Sequence, residues 1–539
     1  MVIKIRVNFL ALTALIATYF TLVMNVTLFQ HFYQILSGLP DKNYGFIITL
    51  PFVLFFALLF LFLPFSLKHI MKPFFIILLL LSSVVSYAMM KYNVVFDKTM
   101  IENIFETNTA EATSYLSPAL LFWVAGSGVA PSVLLLFSRI DYPSSIYYRT
   151  GGRILIMLVS ALFVGLIAFF YYKDYAFIGR NNHTLNQEIV PASYLYSAGK
   201  YINRRYLTSP IPFQKVGEDA QVSRENSRRP NLVIVLLGET ARAQNQSLGG
   251  YSRPTNEFTA GEPGLFYFRH VTSCGTSTAV SVPCMFSAMT RQGFDDAIAR
   301  HSDSVMDIMQ RAGVATFWLD NDEGCKGACD RIAHDIVRPD SDSALCDGNT
   351  CYDEVMLKNI ESKIPDDNKD KLLVFHLIGS HGPAYYQRYP QRFRHFLPAC
   401  ERNDIQNCSR QELLNTYDNT LRYTDYVVDA YIKKLKSYAN YNVALLYVSD
   451  HGESLGEQGI YLHGSPYKIA PEGQTHVPLL LWLSPDYMAS QGINGQCLQK
   501  AAREQAFSHD NVFHTLLSML NVRTQVYDRG LDILAPCKK

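Results

Sequence analysis

Long apolar runs dominate the first third of the chain. Each run has about 18–23 residues, close to the roughly 20 that a helix needs to cross the hydrocarbon core of a bilayer. The runs cover residues 7–29, 45–66, 73–90, 117–138 and 154–172. So many uncharged runs would be unusual as buried helices of a soluble domain. They predict an all-α transmembrane domain of five helices over residues 1–172, whose first helix is too long for a signal peptide and is retained.

From residue 231 onward, short apolar runs alternate with helical patterns. The runs are residues 232–237, 314–319, 372–378, 443–448 and 477–483, and the clearest helical patterns are residues 304–312 and 411–438. Continuous apolar strands separated by helices indicate a mostly parallel sheet with helices on both faces. We therefore predict an α/β domain over residues 231–539. Residues 173–230 are polar with some helical periodicity and are predicted to form a bridge of interfacial helices and a linker.

Composition and charge support this division. The 539 residues carry a formal net charge of +1, but only 16 of the 95 charged residues fall within the first 172. The near-neutral total excludes a dedicated nucleic-acid binder, because such proteins bind the phosphate backbone through clustered Lys and Arg. A hydrophobic content of 49% excludes an intrinsically disordered chain.

Positive charge alternates between the predicted loops. The excess lies at the N-terminus and in the second and fourth loops, on Lys4, Arg6, Lys68, Lys72, Arg139, Arg149 and Arg153. Because Lys and Arg favour the cytoplasmic side, the N-terminus is predicted inside and everything beyond the fifth helix outside. The third loop, residues 91–116, is also predicted outside and is amphipathic. This pattern is typical of a helix lying on the membrane, and a lid over a lipid headgroup is the alternative.

All ten cysteines lie beyond residue 273. An even number confined to the part predicted outside indicates disulfides in an oxidising compartment. Zinc-binding cysteine clusters are the alternative, but no two CxxC-like units stand at zinc-ribbon spacing. Proximity in the sequence suggests the pairs Cys274–Cys284, Cys325–Cys329, Cys346–Cys351, Cys400–Cys408 and Cys497–Cys537.

Polar side chains follow three of the predicted strands. Glu239 follows the first strand, His381 the third, and Asp450 and His451 the fourth, with His463 shortly downstream. In open α/β sheets, ligands bind beyond the carboxyl ends of the strands. Oxygen and imidazole ligands without thiolates suit Zn²⁺, or less well Mn²⁺. Helix caps and surface histidines are the alternative, but Glu239, Asp450 and His451 together favour a metal site.

Residues 272–285 combine hydroxyl side chains with the start of an apolar helix. Such hydroxyl clusters commonly just cap helices. At a helix N-terminus, however, unpaired N–H groups favour an anion, and a hydroxyl coordinated by zinc can attack phosphorus. Spacing alone does not choose among the candidates Thr276, Ser277, Thr278 and Ser281.

Four long motifs resemble a known family. They are GETARAQNQSLGGYSRPT from Gly238, SCGTSTAVSVPCMF from Ser273, GSHGPAYYQRY from Gly379 and YVSDHGESLGEQGIYLHG from Tyr447. The chain resembles the lipid A phosphoethanolamine transferases of Gram-negative bacteria, nearest to the mobile colistin-resistance branch and its chromosomal relatives. The resemblance covers essentially the whole chain. It implies that residues 231–539 have the alkaline phosphatase/sulfatase-like fold.

The resemblance also implies roles for individual residues. Thr278 matches the family's nucleophile, and Glu239, Asp450 and His451 match the residues that hold zinc together with its hydroxyl oxygen. Asp322 lies near the headgroup site without an assigned role. Five further positions match substrate contacts, with the two histidines also at possible second-metal positions: Asn103, Glu111, Lys326, His381 and His463. Because the first two lie in the third loop, the resemblance makes that loop part of the donor site.

These matches imply a zinc-dependent, multi-pass enzyme of the bacterial inner membrane with a periplasmic catalytic domain. Phosphatidylethanolamine would donate phosphoethanolamine to Thr278, and a lipid A phosphate of the lipopolysaccharide would accept it. The lower negative surface charge would confer polymyxin and colistin resistance. We expect a monomer without a nucleic-acid partner. Three alternatives stay open: a same-fold transferase for core heptose, glucan or phosphoglycerol, a phosphatase- or sulfatase-type hydrolase, and a non-enzymatic membrane sensor.

The alternation of charge generates a topology prediction. Alkaline phosphatase fused after Lys173 should be active, and the same fusion within residues 139–153 should be inactive, because this enzyme matures only in an oxidising compartment. Phosphatase activity of whole cells, normalised to fusion protein on an immunoblot, measures both. The reverse pattern would contradict the topology and the assignment of the cysteines to disulfides.

Overall fold

The computed structural model describes the chain except for residues 1–5, 38–42, 93–94, 97–99, 102–103, 105–117, 208–210, 224–228, 323, 359, 366, 403–404, 458–459 and 466. Two compact units result, Met1–Pro210 and Ile211–Lys539. The predicted bridge, residues 173–230, is divided between them. Its predicted start falls within the helix Ile146–Asn181, next to Tyr171, where the backbone leaves helical geometry. The division into three parts remains a prediction.

The first unit is built from apolar helices. They are α1 Phe9–Tyr19, α2 Val26–Ser37, α3 Tyr44–Phe62, α4 Met71–Tyr92, α5 Pro118–Val124, α6 Ala130–Phe137, α7 Ile146–Asn181, α8 His183–Gln187 and α9 Ala192–Ile202. Among the described residues, four helical segments are long and apolar enough to cross a membrane, over Tyr44–Phe65, Met71–Lys91, Pro118–Phe137 and Ile146–Gly179. The predicted all-α membrane domain is confirmed. It has four spans among the described residues, and a fifth if α1 and α2 together form one further span.

A buried asparagine separates those first two helices. Phe9–Met24 and Val26–Ser37 meet at an angle of 55° around Asn25. The Asn25 carboxamide donates to the carbonyl oxygens of Phe20, at 2.9 Å, and Val190, at 2.7 Å, and it accepts from Val190 N at 2.8 Å. These bonds satisfy a polar group that would otherwise be costly to bury. The run predicted as one helix over residues 7–29 is therefore bent at residue 25.

The chain start lies beside a later loop of the same unit. Strand Arg6–Asn8 pairs in parallel with Arg139–Asp141, which follows α6. Nearby, Lys72 Nζ donates to Ser138 O at 2.7 Å, just beyond the last turn of α6. A cation at this position stabilises the carbonyl-rich end of a helix. Basic residues of the N-terminus and of the second and fourth predicted loops thus gather at one end of the helices.

The second unit contains a seven-stranded sheet. Its strands are β1 Asn231–Gly238, β2 Leu265–Phe268, β3 Ala315–Asp320, β4 His334–Ile336, β5 Lys371–His376, β6 Asn442–Ser449 and β7 Leu479–Leu483. The order is β2-β7-β6-β1-β5-β3-β4. From β6 to β4 all neighbours are parallel, whereas β7 is antiparallel to β6 and β2. The mostly parallel sheet and its five predicted strands are confirmed. The prediction missed β2 and β4, which have only 4 and 3 residues.

Helices cover both faces of this sheet. Alternate residues of β1 belong to different cores, Val233 and Val235 on one face and Ile234 and Leu236 on the other. Because both faces are buried, the strand is apolar throughout rather than alternating. The α-helices of the unit are α10 Thr278–Met285, α11 Asp296–Arg300, α12 Val305–Arg311, α13 Arg410–Leu435, α14 Glu472–Thr475, α15 Pro485–Ser490, α16 Gly495–Glu504 and α17 Asp510–Met519.

All ten cysteines are paired as predicted. The disulfides are Cys274–Cys284, Cys325–Cys329, Cys346–Cys351, Cys400–Cys408 and Cys497–Cys537. Four of them close loops of at most 10 residues. Such short bridges fix local loop conformations, and the first holds the segment that leads into α10.

Candidate active site

The carboxyl ends of the parallel strands bring the site together. Ser449 at the end of β6 pairs with Gly238 at the end of β1, so Glu239 and Asp450 leave the sheet side by side, both fully buried. The segment after β5 packs directly on them. At Gly379, whose φ is 48°, a Cβ atom would lie 2.9 Å from Glu239 N, so this close approach requires glycine.

Thr278 is the first residue of α10 and points at this pair of strand ends. Its Oγ1 donates to Glu239 Oε2 at 3.1 Å and lies 3.5 Å from His451 Nε2. Thr278 is 8% exposed, so the residue is largely buried but retains some contact with solvent. At a helix start, the unpaired N–H groups of the first turn favour an anion near this oxygen. The geometry matches a hydroxyl nucleophile beside an acceptor for its proton.

The other hydroxyl candidates are used by the loop itself. Thr276 Oγ1 donates to Ser465 O at 2.6 Å, and Ser281 Oγ accepts from Gly275 N at 3.0 Å. Ser277 is the extended residue that precedes α10. Of the four candidates that spacing left open, the structure places Thr278 against the carboxylate.

His451 presents one ring nitrogen to the same centre. Its Nδ1 donates to Gly452 O at 2.9 Å, which fixes the tautomer and leaves Nε2 with a lone pair. That Nε2 lies 3.3 Å from both Glu239 Oε1 and Asp450 Oδ2. Among the described residues, neither carboxylate oxygen has a hydrogen-bond partner, although both are buried. Buried acceptors that converge without donors fit a metal ion.

Electrostatics supports the same conclusion. Burial, together with the neighbouring charges of Asp450 and Asp322, raises the pKa of Glu239 well above its ordinary value. Several buried carboxylates at this spacing repel one another and lose hydration. A divalent cation held by these residues would offset both costs and would keep the carboxylates ionised at neutral pH. Two oxygen donors, an imidazole and a hydroxyl form a set that suits Zn²⁺.

His376, the last residue of β5, is a site residue that sequence reasoning missed. It is fully buried, and its Nδ1 lies 2.9 Å from Asp320 Oδ2. Burial alone would lower the pKa of His376, but the hydrogen bond to Asp320 and the charges of Asp320, Asp322 and Glu239 raise it to about 9. With Glu239 and Asp322 it forms a second group that could hold a metal ion. The available signal was one histidine inside the apolar run of residues 372–378.

The two further predicted histidines lie beside this centre. The His463 ring centroid is 4.4 Å from that of His451 and 5.8 Å from that of His381. Its Nδ1 lies 3.5 Å from Glu453 Oε1. Glu239, His451 and His463 form the other candidate metal-binding group. The structure thus brings His381 and His463 to the rim of the site, while their roles remain predictions.

Of the remaining predicted site residues, the structure describes two and does not describe the other two. Lys326 lies in the turn closed by the Cys325–Cys329 disulfide, with φ of 51°, and Asp322 approaches His376 Nε2 at 3.9 Å. Both follow β3 in the sequence, and Asp322 lies at the sheet edge beside His376. Asn103 and Glu111 lie outside the described residues.

Helix α13 braces the Glu239 loop from behind. Thr240 has φ of 54°, a strained conformation for a β-branched residue. Tyr417 of α13 fixes it, since its hydroxyl donates to Thr240 O at 2.7 Å and accepts from Arg242 N at 3.0 Å. Arg242 in turn donates to Glu453 O at 3.3 Å. The two loops that follow β1 and β6 are therefore tied together beyond the candidate ligands.

Comparison with known proteins shows which family the chain resembles. A sulfatase family model matches residues 230–522, and a model described as phosphoethanolamine transferase EptA/EptB matches residues 54–206. Phosphoethanolamine transferase EptA of Escherichia coli K12 is 41% identical over 99% of this chain and 97% of its own length. The chain belongs to the phosphoethanolamine transferase family. Phosphatidylethanolamine transferase Mcr-1 of Escherichia coli is 36% identical to the chain over 96% of the chain and 96% of its own length.

A solved relative covers both units. The integral membrane lipooligosaccharide phosphoethanolamine transferase EptA from Neisseria meningitidis is 37% identical, covers 99% of this chain and 100% of its own, and superposes with a TM-score of 0.67. The predicted fold, an apolar helical domain followed by an alkaline phosphatase/sulfatase-like domain, is confirmed for this phosphoethanolamine transferase family member.

The site geometry generates a metal-binding prediction. Replacing Glu239, Asp450 or His451 by Ala should weaken the binding of zinc by more than about tenfold, because each removes a donor and leaves a buried charge cluster unbalanced. Zinc content of the purified proteins is measured by mass spectrometry. His514→Ala, a buried histidine on α17, serves as control and should keep wild-type zinc. Stoichiometric zinc in Asp450→Ala and His451→Ala would contradict the assignment.

Proposed function

We propose that this chain transfers phosphoethanolamine from phosphatidylethanolamine to a phosphate of lipid A through a covalent intermediate on Thr278. One observation carries the proposal: a hydroxyl at a helix start donates to a buried carboxylate beside a histidine of fixed tautomer. The names of the relatives support the transferred group. The mechanism below follows from the residues of the site.

Zinc is the proposed cofactor, and Glu239, Asp450, His451 and the Thr278 oxygen would hold it. When bound, it supplies Lewis acidity, which lowers the pKa of a hydroxyl and stabilises negative charge on phosphoryl oxygens. The buried, partnerless oxygens of Glu239 and Asp450 among the described residues support this choice. The fixed Nδ1 bond of His451 supports it as well.

The first half-reaction exchanges one ester for another. Thr278 Oγ1 bonds to the phosphorus of phosphatidylethanolamine, and the bond from phosphorus to the glycerol oxygen breaks. The Thr278 proton is already directed at Glu239 Oε2, 3.1 Å away, and a proton finally resides on the diacylglycerol oxygen. His463 and His381, whose ring centroids lie 5.8 Å apart beside the centre, would donate to the phosphate or pass that proton. Lys326 offers a further charge for a phosphate oxygen.

The second half-reaction returns the threonine. An oxygen of a lipid A phosphate bonds to the phosphorus, the bond to Thr278 breaks, and the hydroxyl regains a proton. Using one site for both steps keeps donor and acceptor apart in time. The apolar helices support a location in the inner membrane with the second unit in the periplasm, where both lipids lie in one plane and meet the site by lateral diffusion.

The first test concerns the nucleophile. Thr278→Ala should abolish transfer, because no other described hydroxyl lies against Glu239, while folding should lose only about 1 kcal/mol, the net value of one hydrogen bond. Incubation with phosphatidylethanolamine and no acceptor should add one phosphoethanolamine to wild type, located on Thr278 by peptide mass spectrometry. Ser277→Ala is the neighbouring control and should still be modified. Modification of Ser277 or Ser281 instead, or transfer by Thr278→Ala, would contradict the covalent step.

The second test is cellular. Each phosphoethanolamine places an ammonium beside a lipid A phosphate, and attraction of a peptide to a charged membrane is worth about 1 kcal/mol per basic group. Expression in a polymyxin-sensitive Gram-negative host should therefore raise the inhibitory concentration of polymyxin several-fold. Lipid A should be heavier by phosphoethanolamine units, and cells with Thr278→Ala should show neither change.

Other outcomes of the cellular test separate the alternatives. Modified core sugars with unmodified lipid A would select a heptose-directed transferase. Free phosphoethanolamine without any modified acceptor would select a hydrolase. Tolerance with unmodified lipid A would mean that polymyxin is excluded in another way.

A further inference from the structure

A buried histidine far along the chain joins two loops of the site. His509 is 0% exposed. Its Nδ1 accepts from Cys274 N at 3.1 Å, and its Nε2 donates to Ser449 O at 3.0 Å. Cys274 belongs to the loop that leads into Thr278, and Ser449 immediately precedes Asp450. One imidazole therefore spans from the nucleophile segment to the end of β6.

Both ring nitrogens of His509 are occupied by the backbone. Accepting at Nδ1 and donating at Nε2 requires the neutral ring in a single tautomer. Burial lowers the pKa of His509 to about 4, so the neutral form persists at physiological pH. A ring engaged in this way does not exchange protons with a substrate. What it supplies is a fixed distance between two backbone segments.

Ser449 extends the connection to the third loop of the site. Its hydroxyl accepts from Ala241 N at 2.8 Å and donates to His451 O at 2.9 Å. The backbone of His509 is itself anchored, since its N–H donates to Thr272 O at 3.0 Å. The loops that carry Glu239, Thr278 and Asp450 thus meet through His509 and Ser449.

We infer that His509 is a positioning residue that holds the Thr278 hydroxyl at its working distance from Glu239 and His451. Without the ring, the Cys274 N–H and the Ser449 carbonyl would be buried without partners, and the nucleophile segment would shift relative to β6. A displacement of about 1 Å at a reacting group can cost on the order of 100-fold in rate. The kinetic consequence rests on the proposed function, whereas the effect on the metal site does not.

Two nearly isosteric substitutions test the inference in the full-length, zinc-loaded protein. His509→Met fills the space but makes neither bond, while His509→Gln carries an acceptor and a donor at similar separation. His509→Met should lower kcat at least about tenfold with KM for phosphatidylethanolamine within about twofold, and His509→Gln should recover kcat to within about threefold of wild type. The metal-free proteins should follow the same order in zinc affinity, with His509→Met weaker by about tenfold.

A histidine inside α17, the helix that His509 precedes, provides the matched control. His514 is also buried, and its Nδ1 accepts from Asp528 N at 3.0 Å, away from the loops of the site. His514→Met should lower the melting temperature like His509→Met but leave kcat and zinc affinity near wild type. Equal kcat losses in both Met variants, or a folded His509→Gln that recovers nothing, would overturn the inference.

Two further outcomes remain decisive. If His509→Met does not fold, His509→Asn replaces it. The Asn side chain is one methylene shorter than that of Gln, so its carboxamide does not reach both partners. The same loss is then expected, and wild-type kcat would contradict the inference. If wild type transfers no phosphoethanolamine, the proposed function fails, but zinc affinities of the His509 and His514 variants still decide whether His509 positions the site.

Discussion

Mutual repulsion among buried carboxylates is the constraint on which the second unit depends. Glu239, Asp322 and Asp450 lie in a region from which water is largely excluded, where like charges are costly. The histidines between them offset part of that cost, and the proposed zinc ion would offset more of it, provided that every donor atom keeps its place. The parallel sheet beneath, the Tyr417 hydroxyl and the disulfide before α10 all restrict movement of these loops.

This constraint also explains how one cluster can serve both structure and reaction. A hydroxyl held among oxygens that face a cation is placed where its deprotonated form is most stable. The Thr278 oxygen, 3.1 Å from Glu239 and 3.5 Å from His451, would occupy such a position once the proposed zinc ion is bound. In the proposed reaction, the substrate phosphate would then add a negative charge to a site whose carboxylates the metal already balances. Preorganisation of this kind requires no rearrangement when the phosphoryl group arrives.

The sequence predicted the parts of the structure that depend on strong local patterns. Continuous apolar runs predicted five strands. The polar residues that directly follow two of these runs indicated Glu239, Asp450 and His451 as candidate site residues. His376 was missed because it is the last residue of its strand, so it was counted with the apolar run. His509 follows a short strand at the start of α17, where nothing in the spacing connects it to Cys274, 235 residues away. Long-range pairings of this kind follow from the three-dimensional fold alone.

The choice among four hydroxyls shows the same limit. Thr276, Ser277, Thr278 and Ser281 have similar chemistry, and their different partners are set by which loops surround them. The bend at Asn25 likewise depends on a partner, Val190, 165 residues later. A hydropathy pattern contains no information on such a partner, so the run around it suggested one straight helix.

The strand pairing of Arg6–Asn8 with Arg139–Asp141 bears on whether the bent helix pair crosses the membrane, because it limits the number of crossings between the two strands. Two segments that pair as strands must lie on the same side of a membrane, so an even number of crossings separates them. Three unbent spans, Tyr44–Phe65, Met71–Lys91 and Pro118–Phe137, lie between them in the sequence. Among the described residues, the total is even only if Phe9–Met24 and Val26–Ser37 together make one more crossing. The strand pairing therefore favours counting the helix pair that bends by 55° at Asn25 as one span, which gives five spans among the described residues.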